Sequence, residues 1–268
     1  MKKWRDTLYG FVIGATMMVP GVSGGSMAMI LGIYDKLISA VSDFRAKSKS
    51  NFLFLFIFVI CAAAGIFFFS APLNWLLMEF PVYTRYFFLG AVFGGVPMIL
   101  KKAGGKIFCG NSFIYILTGV LAVLLLSLIP ADLVGMTEDG GLKKQAMLVL
   151  VGVPVASAMI LPGISVSHFL LILGLYDRLV YSIQNLKFGF LVPLGIGIML
   201  GIILITKILE YVMEHYPRAS YLTILGFVLG SLGELFPGIP GGKEIIGCLV
   251  TFFCGFILIY KVSQRESE

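Results

Sequence analysis

Charged residues divide this chain into long uncharged segments whose lengths predict membrane-spanning helices. The uncharged segments cover 7–34, 50–78, 107–131, 145–176, 188–206 and 245–260, with shorter ones at 86–100 and 219–233. An α-helix needs about 20 mainly apolar residues to cross the hydrocarbon core of a bilayer. The pattern therefore predicts six spans, at about 52–73, 82–100, 111–130, 188–209, 218–236 and 244–260.

Two of these segments contain a polar interruption that breaks a continuous helix. The first contains Pro20-Gly21-Val22-Ser23-Gly24-Gly25-Ser26, and the fourth contains Pro162-Gly163-Ile164-Ser165-Val166-Ser167-His168. Proline removes a backbone donor, and glycine lowers helix propensity. Each segment is therefore predicted to form two half-helices around an irregular tip. In the first, the arms are expected at about 7–19 and 26–41.

These half-helices are predicted to pair as re-entrant hairpins over 7–41 and 145–183. An arm of about 13 residues rises roughly 20 Å, which is less than the ~30 Å hydrocarbon core. The first hairpin is therefore expected to enter and leave on the same side. The first arm of the second hairpin, 145–161, is long enough to span, so a full crossing remains an alternative there.

The hairpins and the spans that follow them recur along the chain, which indicates an internal duplication. The matched segments are 20–23 with 162–165 and 31–38 with 173–180, at an offset of 142, and 81–94 with 217–230, at an offset of 136. The prediction is a repeat 1 over 1–131 and a repeat 2 over 132–268.

Each repeat holds one hairpin and three spans, so the second repeat is predicted to be inverted relative to the first. A re-entrant hairpin does not cross the membrane, and three crossings leave the chain on the opposite side. The basic residues agree, since most fall on one side, which the positive-inside rule makes cytoplasmic. These are Lys2, Lys3, Arg5, Arg45, Lys47, Lys49, Lys101, Lys102, Lys106, Lys207, Arg218, Lys261 and Arg265. Both termini are therefore expected in the cytoplasm.

Composition agrees with an all-α integral membrane protein. Of 268 residues, 59% are apolar and 13% are charged, whereas soluble domains are about half apolar and about a quarter charged. The net charge of +6 reflects the loops of a membrane protein, so no nucleic-acid partner is expected.

The four cysteines form no metal-binding motif, and no metal or other cofactor is expected. The chain also lacks the common catalytic motifs, so it is not predicted to be an enzyme.

The two tips carry the candidate binding chemistry. Irregular backbone at membrane depth is tolerated only where protein or a watery cavity covers it. Its free N–H groups, with nearby hydroxyls, suit an anion such as phosphate. Broken helices at the interface of inverted repeats are typical of secondary transporters. The alternative is a simple kink, because glycine, proline and serine are ordinary in membrane helices. The predicted substrate-binding residues of the tips are Ser23, Gly24, Gly25, Ser26, Ser165 and Ser167.

Three further polar residues near the spans are candidates for transport chemistry. His168 follows the second tip and is predicted to assist phosphate binding, with a structural hydrogen bond as the alternative. Arg85 is predicted to reach inward toward a phosphate, with snorkelling to the headgroups as the alternative. Glu234 has no local cation and is a candidate for proton coupling.

Each hairpin ends with an acidic residue followed by a basic one, Asp35-Lys36 and Asp177-Arg178. Local ion pairing at the membrane interface is the favoured interpretation. A role in a gate is the alternative.

The sequence around the tips resembles the DUF368 family of bacterial membrane proteins. Residues 19–38, VPGVSGGSMAMILGIYDKLI, resemble the first family signature, and 161–165 with 173–177 resemble the second. Ser26 stands where the family usually has threonine, and 166–168 where it usually has a Gly-Ser-small pattern. The resemblance covers essentially the whole chain. It implies a flippase that returns undecaprenyl phosphate, the C55 carrier lipid, to the cytoplasmic leaflet of the bacterial cytoplasmic membrane for peptidoglycan and other envelope polymers.

The prediction is thus a multi-pass translocase with undecaprenyl phosphate and membrane lipids as partners. Proton or cation coupling and homo-oligomer formation are left open. One alternative is a secondary transporter of a small soluble anion that uses the same tips. Another is a non-transporting scaffold, for which polar tips buried at mid-membrane are a needless cost.

Overall fold

The computed structural model describes residues 2–17, 19, 22–42, 48–105, 111–128, 142–242 and 244–266, and these residues form helices joined by short turns. No strand occurs within them. The helices are α1 (Lys2–Thr16), α2 (Gly24–Ile30), α3 (Tyr34–Ser42), α4 (Ser48–Glu79), α5 (Pro81–Lys102), α6 (Ser112–Leu128), α7 (Leu142–Ile160), α8 (Val166–Ile172), α9 (Tyr176–Gln184), α10 (Phe188–His215), α11 (Pro217–Leu235) and α12 (Glu244–Glu266). The predicted all-α fold is confirmed.

Four helices of the described chain are long and apolar enough to cross a membrane, and they correspond to four of the six predicted spans. They cover Lys49–Glu79, Pro81–Lys102, Phe188–His215 and Glu244–Gln264. The predicted spans at 111–130 and 218–236 correspond to α6 and α11, which lie outside this group of four. Their crossing of the membrane remains a prediction. The chain is a multi-pass membrane protein.

Both hairpins contain one more break than the sequence analysis expected. The single second arm predicted over 26–41 is wrong, because α2 ends at Ile30 and α3 begins at Tyr34. The corresponding break separates α8 from α9 in the second hairpin. Gly32 and Gly174 lie in these breaks with φ of 77° and 65°. This left-handed conformation is easily adopted only by glycine and cannot continue a right-handed helix.

Glycines bring four pairs of helices into backbone contact. A Cβ added at any of these glycines would collide with the backbone of the facing helix, so a side chain there would force the two helices apart. Small residues play this part in membrane helix packing, where no hydrophobic force drives helices together. The pairs are α1 with α4 at Gly14 and Gly65, α7 with α10 at Gly152 and Gly197, α5 with α12 at Gly90 and Gly255, and α6 with α11 at Gly119 and Gly226.

The glycine contacts follow the predicted duplication. Gly90 of α5 faces α12, and Gly226 of α11, which is 136 residues further along, faces α6. Gly119 and Gly255 stand at the same offset on the two partner helices. The third long helix of each repeat therefore packs against the second long helix of the other repeat, and residues of both halves share one buried core. This exchange supports the duplication, while the inverted orientation remains a prediction.

These contacts give a test of the helix frame. We expect Gly90→Ala to destabilise the protein by about 1–3 kcal/mol, because the new methyl group overlaps the Phe252 carbonyl oxygen. The matched control is Gly195→Ala in α10, where an added Cβ has no neighbour within 4 Å. This control should be neutral or gain up to about 1 kcal/mol of helix propensity. Thermal unfolding of both purified variants in detergent measures the difference, and equal unfolding midpoints would contradict the close α5–α12 contact.

Candidate functional site

The two predicted tips meet inside the molecule. The backbone N–H of Gly163, in the second tip, donates a hydrogen bond of 3.0 Å to the hydroxyl oxygen of Ser23, in the first tip. Ser23 also caps α2, since its oxygen accepts the Ser26 N–H at 3.1 Å, and the two serine hydroxyls lie 2.8 Å apart. A single hydroxyl thus satisfies the start of α2 and holds a backbone donor from the other repeat.

A second hydrogen bond joins the first hairpin to the end of α7. The hydroxyl of Tyr34, which is 2% exposed, donates to the Ile160 carbonyl oxygen at 3.0 Å. The last carbonyl groups of a helix have no partner within that helix. Tyr34, in α3, therefore provides a hydrogen-bond donor for one of these carbonyl groups. Gly25 packs beside the same carbonyl group and beside Pro162, where a side chain would be crowded.

A cavity of about 670 Å³ opens beside the joined tips. This is within the usual range for small-molecule binding sites, roughly 300–1,000 Å³. The tips contribute Ser23, Gly24, Gly25, Gly163 and Ser165, and helices α1, α3, α4, α7 and α10 contribute mainly apolar walls. The cavity therefore combines a few hydroxyl and backbone donors with an apolar surround, as expected of a site for an amphipathic ligand.

Among the described residues that line this cavity, Glu234 of α11 is the one charged side chain. Glu234 and Ser165 also line a small recess behind the second tip. Glu234 stands out in the sequence because no cation lies near it along the chain. The structure adds that it faces the same cavity as the tip hydroxyls.

The predicted site residues in and beside the tips divide into three groups. Ser23, Gly24, Gly25 and Ser165 line the cavity. Ser26 is only 2% exposed and lies behind Ser23, so it supports the tip rather than lining the cavity. Ser167 and His168 belong to α8, but their side chains lie outside the described residues, and their roles remain predictions.

Arg85 does not line the cavity. It lies in the first turns of α5, and its Nε is buried without a hydrogen-bond partner in the described part of the chain. Arg218, the second residue of α11, donates a hydrogen bond of 2.6 Å to the Ser112 hydroxyl. That bond joins the beginnings of α11 and α6. The predicted contact of Arg85 with a phosphate remains a prediction.

The local ion pair predicted for Asp35 and Lys36 is wrong. Asp35 Oδ2 instead lies 2.5 Å from the Lys102 ammonium nitrogen at the end of α5, and it accepts a 3.0 Å hydrogen bond from the Tyr221 hydroxyl of α11. Neighbouring residues on a helix point in different directions, so side chains at i and i+1 do not face each other. The Lys36 ammonium group lies over the Phe54 ring.

In the second hairpin, Asp177 is exposed and forms no ion pair within the described part of the chain. Arg178 lies over the Phe190 ring, with its guanidinium carbon 5.4 Å from the ring centre. The predicted local pair is therefore not formed there either. Sequence reasoning also missed Tyr34 and Tyr221, although Tyr34 belongs to the repeated block 31–38 that drew attention to Asp35.

Broken helices whose tips meet beside a cavity, inside a multi-pass helical membrane protein, are the pattern of secondary transporters. The chain belongs to the undecaprenyl phosphate translocase-like family, whose model matches residues 13–245. The family expected from the tip motifs is thereby confirmed.

Two relatives support this membership across most of the chain. The polyprenyl-phosphate transporter of Staphylococcus aureus is 33% identical over 277 aligned residues, which cover 99% of this chain and 98% of that protein. The polyprenyl-phosphate transporter of Vibrio cholerae is 28% identical over 251 residues, covering 86% of this chain and 76% of that protein. No solved structure matches the chain.

The junction of the tips can be tested through its shared hydroxyl. Ser23→Ala leaves the Gly163 N–H without an acceptor, and an unpaired buried donor costs about 1–3 kcal/mol. We expect a lower unfolding midpoint and faster hydrogen exchange of peptides that contain 160–165. The control is Ser70→Ala, since the Ser70 hydroxyl makes an exposed hydrogen bond within its own helix, to the Phe67 carbonyl oxygen. Unchanged exchange at the second tip would show that Ser23 does not hold it.

Proposed function

We propose that this protein translocates undecaprenyl phosphate across the bacterial cytoplasmic membrane, returning the carrier lipid to the cytoplasmic leaflet. The observation that carries this proposal is the junction of the two broken-helix tips beside a largely apolar cavity. Family membership and two relatives named polyprenyl-phosphate transporters supply the substrate class.

The tips suit the phosphate head of such a lipid. The first N–H groups of a helix have no acceptor within it, so Gly24 and Gly25 at the start of α2 offer donors at the cavity wall. The hydroxyls of Ser23 and Ser165 line the same cavity. The apolar walls accommodate the first isoprene units, while the rest of the chain stays among the lipids. The protein then carries only the charged head through the low-dielectric core, which is the costly part of the crossing.

The proposed arrangement in the membrane has two inverted repeats, with the hairpins entering from opposite sides and both termini in the cytoplasm. Two features support it: the basic residues on the side that holds the termini, and the matched glycine contacts of equivalent helices. With this arrangement the joined tips lie near the middle of the membrane, where transporters of this kind bind their substrates.

Glu234 is the proposed site of proton coupling. An ionised carboxylate and a phosphate repel each other inside an apolar cavity, and the described lining residues provide no cation to offset this. Uptake of a proton by Glu234 removes the repulsion when the phosphate enters. Release of that proton on the cytoplasmic side then favours release of the lipid.

The central experiment is leaflet transfer of labelled undecaprenyl phosphate in liposomes that contain the purified protein. The double variant Ser23→Leu with Ser165→Leu should abolish transfer, because two bulky apolar groups then occupy the polar part of the cavity. The control is Ser70→Leu in α4, since Ser70 does not line the cavity, and this variant should transfer at the normal rate. Normal transfer by a folded double variant would refute the assignment of the tips.

The same liposomes distinguish a lipid carrier from a carrier of soluble anions. Excess inorganic phosphate should leave lipid transfer nearly unchanged, since it lacks the apolar part that the cavity walls bind. Uptake of labelled inorganic phosphate at a rate that exceeds lipid transfer would favour the soluble-anion alternative.

Proton coupling is tested with Glu234→Gln. We expect this neutral variant to exchange lipid between leaflets but to lose the acceleration that a proton gradient gives the unaltered protein. Glu214→Gln, at the end of α10 and away from the cavity, is the control and should keep that acceleration. A Glu234→Gln variant that responds fully to the gradient would contradict the role of Glu234.

A further inference from the structure

Three pairs of equivalent residues in the two hairpins differ sharply in burial, while other pairs, such as Ile30 with Ile172, are buried in both. At the offset of 142 residues, Met29 corresponds to Leu171, Tyr34 to Tyr176 and Ile38 to Val180. The first members are 0%, 2% and 5% exposed, and the second are 43%, 36% and 37% exposed. The long helices around the hairpins, by contrast, make their close glycine contacts at positions that the duplication relates. The first hairpin is thus packed into the core, and the second is less deeply packed.

The packed hairpin is held by the group that we call the first latch, namely Asp35, Lys102 and Tyr221. Asp35 Oδ2 accepts from both partners, at 2.5 Å from the Lys102 ammonium nitrogen and 3.0 Å from the Tyr221 hydroxyl. The latch joins α3 of the hairpin to the end of α5 and the beginning of α11.

The duplication points to a counterpart of this latch in the second hairpin. The offset of 142 relates Asp35 to Asp177, and the offset of 136 relates Arg85 to Tyr221. Asp177 is exposed and forms no ion pair among the described residues. The Arg85 Nε is buried and has no hydrogen-bond partner among them. Where the first hairpin has a formed contact, the second has its two components apart.

We propose that Arg85 and Asp177 are positioning residues that form a second latch when the second hairpin packs into the core and the first latch opens. This inference rests on the proposed function, because transport requires the cavity to face each side of the membrane in turn. Both cations belong to α5, Arg85 near its beginning and Lys102 at its end. A helical separation of 17 residues is about 25 Å, so the two latches lie toward opposite ends of that helix.

The two latches contain the same kinds of charged group, although the residues that supply the groups differ. The position equivalent to Lys102 is Gly238, which supplies no cation, so Arg85 is the cation of the second latch. Each latch then combines one hairpin carboxylate with one cation of α5. The Arg85 side chain is half-buried, and its buried Nε–H is costly to leave without an acceptor. A carboxylate accepts the parallel N–H groups of a guanidinium in a strong two-bond geometry. In the second latch Asp177 therefore supplies an acceptor for the Arg85 Nε, which has none among the described residues in the present arrangement.

Cysteine cross-linking in native membranes tests the second latch directly. In a background without Cys61, Cys109, Cys248 and Cys254, the pairs Arg85→Cys with Asp177→Cys and Asp35→Cys with Tyr221→Cys are treated with a short bifunctional thiol reagent. We expect both pairs to cross-link, each in part of the population. The pair Asp177→Cys with Tyr221→Cys is the control and should not react. An Arg85–Asp177 pair that reacts no faster than this control would overturn the proposal.

Replacing these side chains with cysteine could itself destroy the second latch. Variants that exchange the two charges keep a carboxylate and a cation in the latch and therefore provide a second test. We expect Arg85→Asp and Asp177→Arg each to lower lipid transfer about tenfold or more, since each leaves an unpaired charge. The double exchange should recover most of the loss. Failure of the double exchange to recover transfer, in variants that fold normally, would also overturn the proposal.

Removing a latch residue should shift the population from one arrangement of the hairpins to the other. Removing a residue with a merely structural role should not. Arg85→Ala should therefore increase cross-linking of the Asp35→Cys and Tyr221→Cys pair, and Lys102→Ala should increase cross-linking of the Arg85→Cys and Asp177→Cys pair. Cross-linking needs no lipid substrate. Reciprocal changes without undecaprenyl phosphate transfer would refute the proposed function and keep the latch. Normal transfer with neither cross-linking nor recovery by charge exchange would refute only the latch.

Discussion

Backbone groups released by a broken helix cannot remain unpaired inside a bilayer, and the rest of this structure depends on how that requirement is met. Each unpaired group at membrane depth costs several kcal/mol. Here the first tip caps its own helix through Ser23, and the same oxygen accepts the Gly163 N–H of the second tip. Tyr34 covers the Ile160 carbonyl oxygen beside them. Each tip therefore stabilises the other, and they meet where the cavity opens.

The glycine contacts give these tips a rigid surround. Close backbone approach at Gly90 and Gly255, and at Gly119 and Gly226, joins helices from different repeats. Each repeat thus supplies the partner for a long helix of the other. Such a frame leaves the short hairpin helices as the elements that can change their packing without loss of the main helix contacts. The difference in burial between Tyr34 and Tyr176 falls in those elements.

The sequence predicted the features that depend on composition and local chemistry. Uncharged length located the long helices, and proline with glycine located the tips, because both signals act within a few residues. The duplication also predicted that two tips would form one site. Ser23 and Ser165, both predicted from the sequence, line the same cavity, and their binding of the substrate remains a proposal.

The sequence did not predict the features that depend on packing between distant segments of the chain. The break at Gly32 needs a left-handed residue, and the sequence does not say which glycines adopt that conformation. Asp35 pairs with Lys102 and not with its neighbour Lys36, because α3 lies near the end of α5. The same limit applies to Arg85, which does not line the cavity and whose buried Nε has no hydrogen-bond partner among the described residues.

Photolabelling tests most directly whether the joined tips hold the lipid phosphate. An undecaprenyl phosphate analogue with a photoreactive group on its first isoprene unit is added to membranes that contain the protein, and labelled peptides are identified by mass spectrometry. Labels should concentrate on cavity-lining residues such as Ile13, Ile160 and Ile202, and unlabelled undecaprenyl phosphate should displace them. Labels confined to the exposed outer face of α4, with no displacement, would contradict binding at the tips.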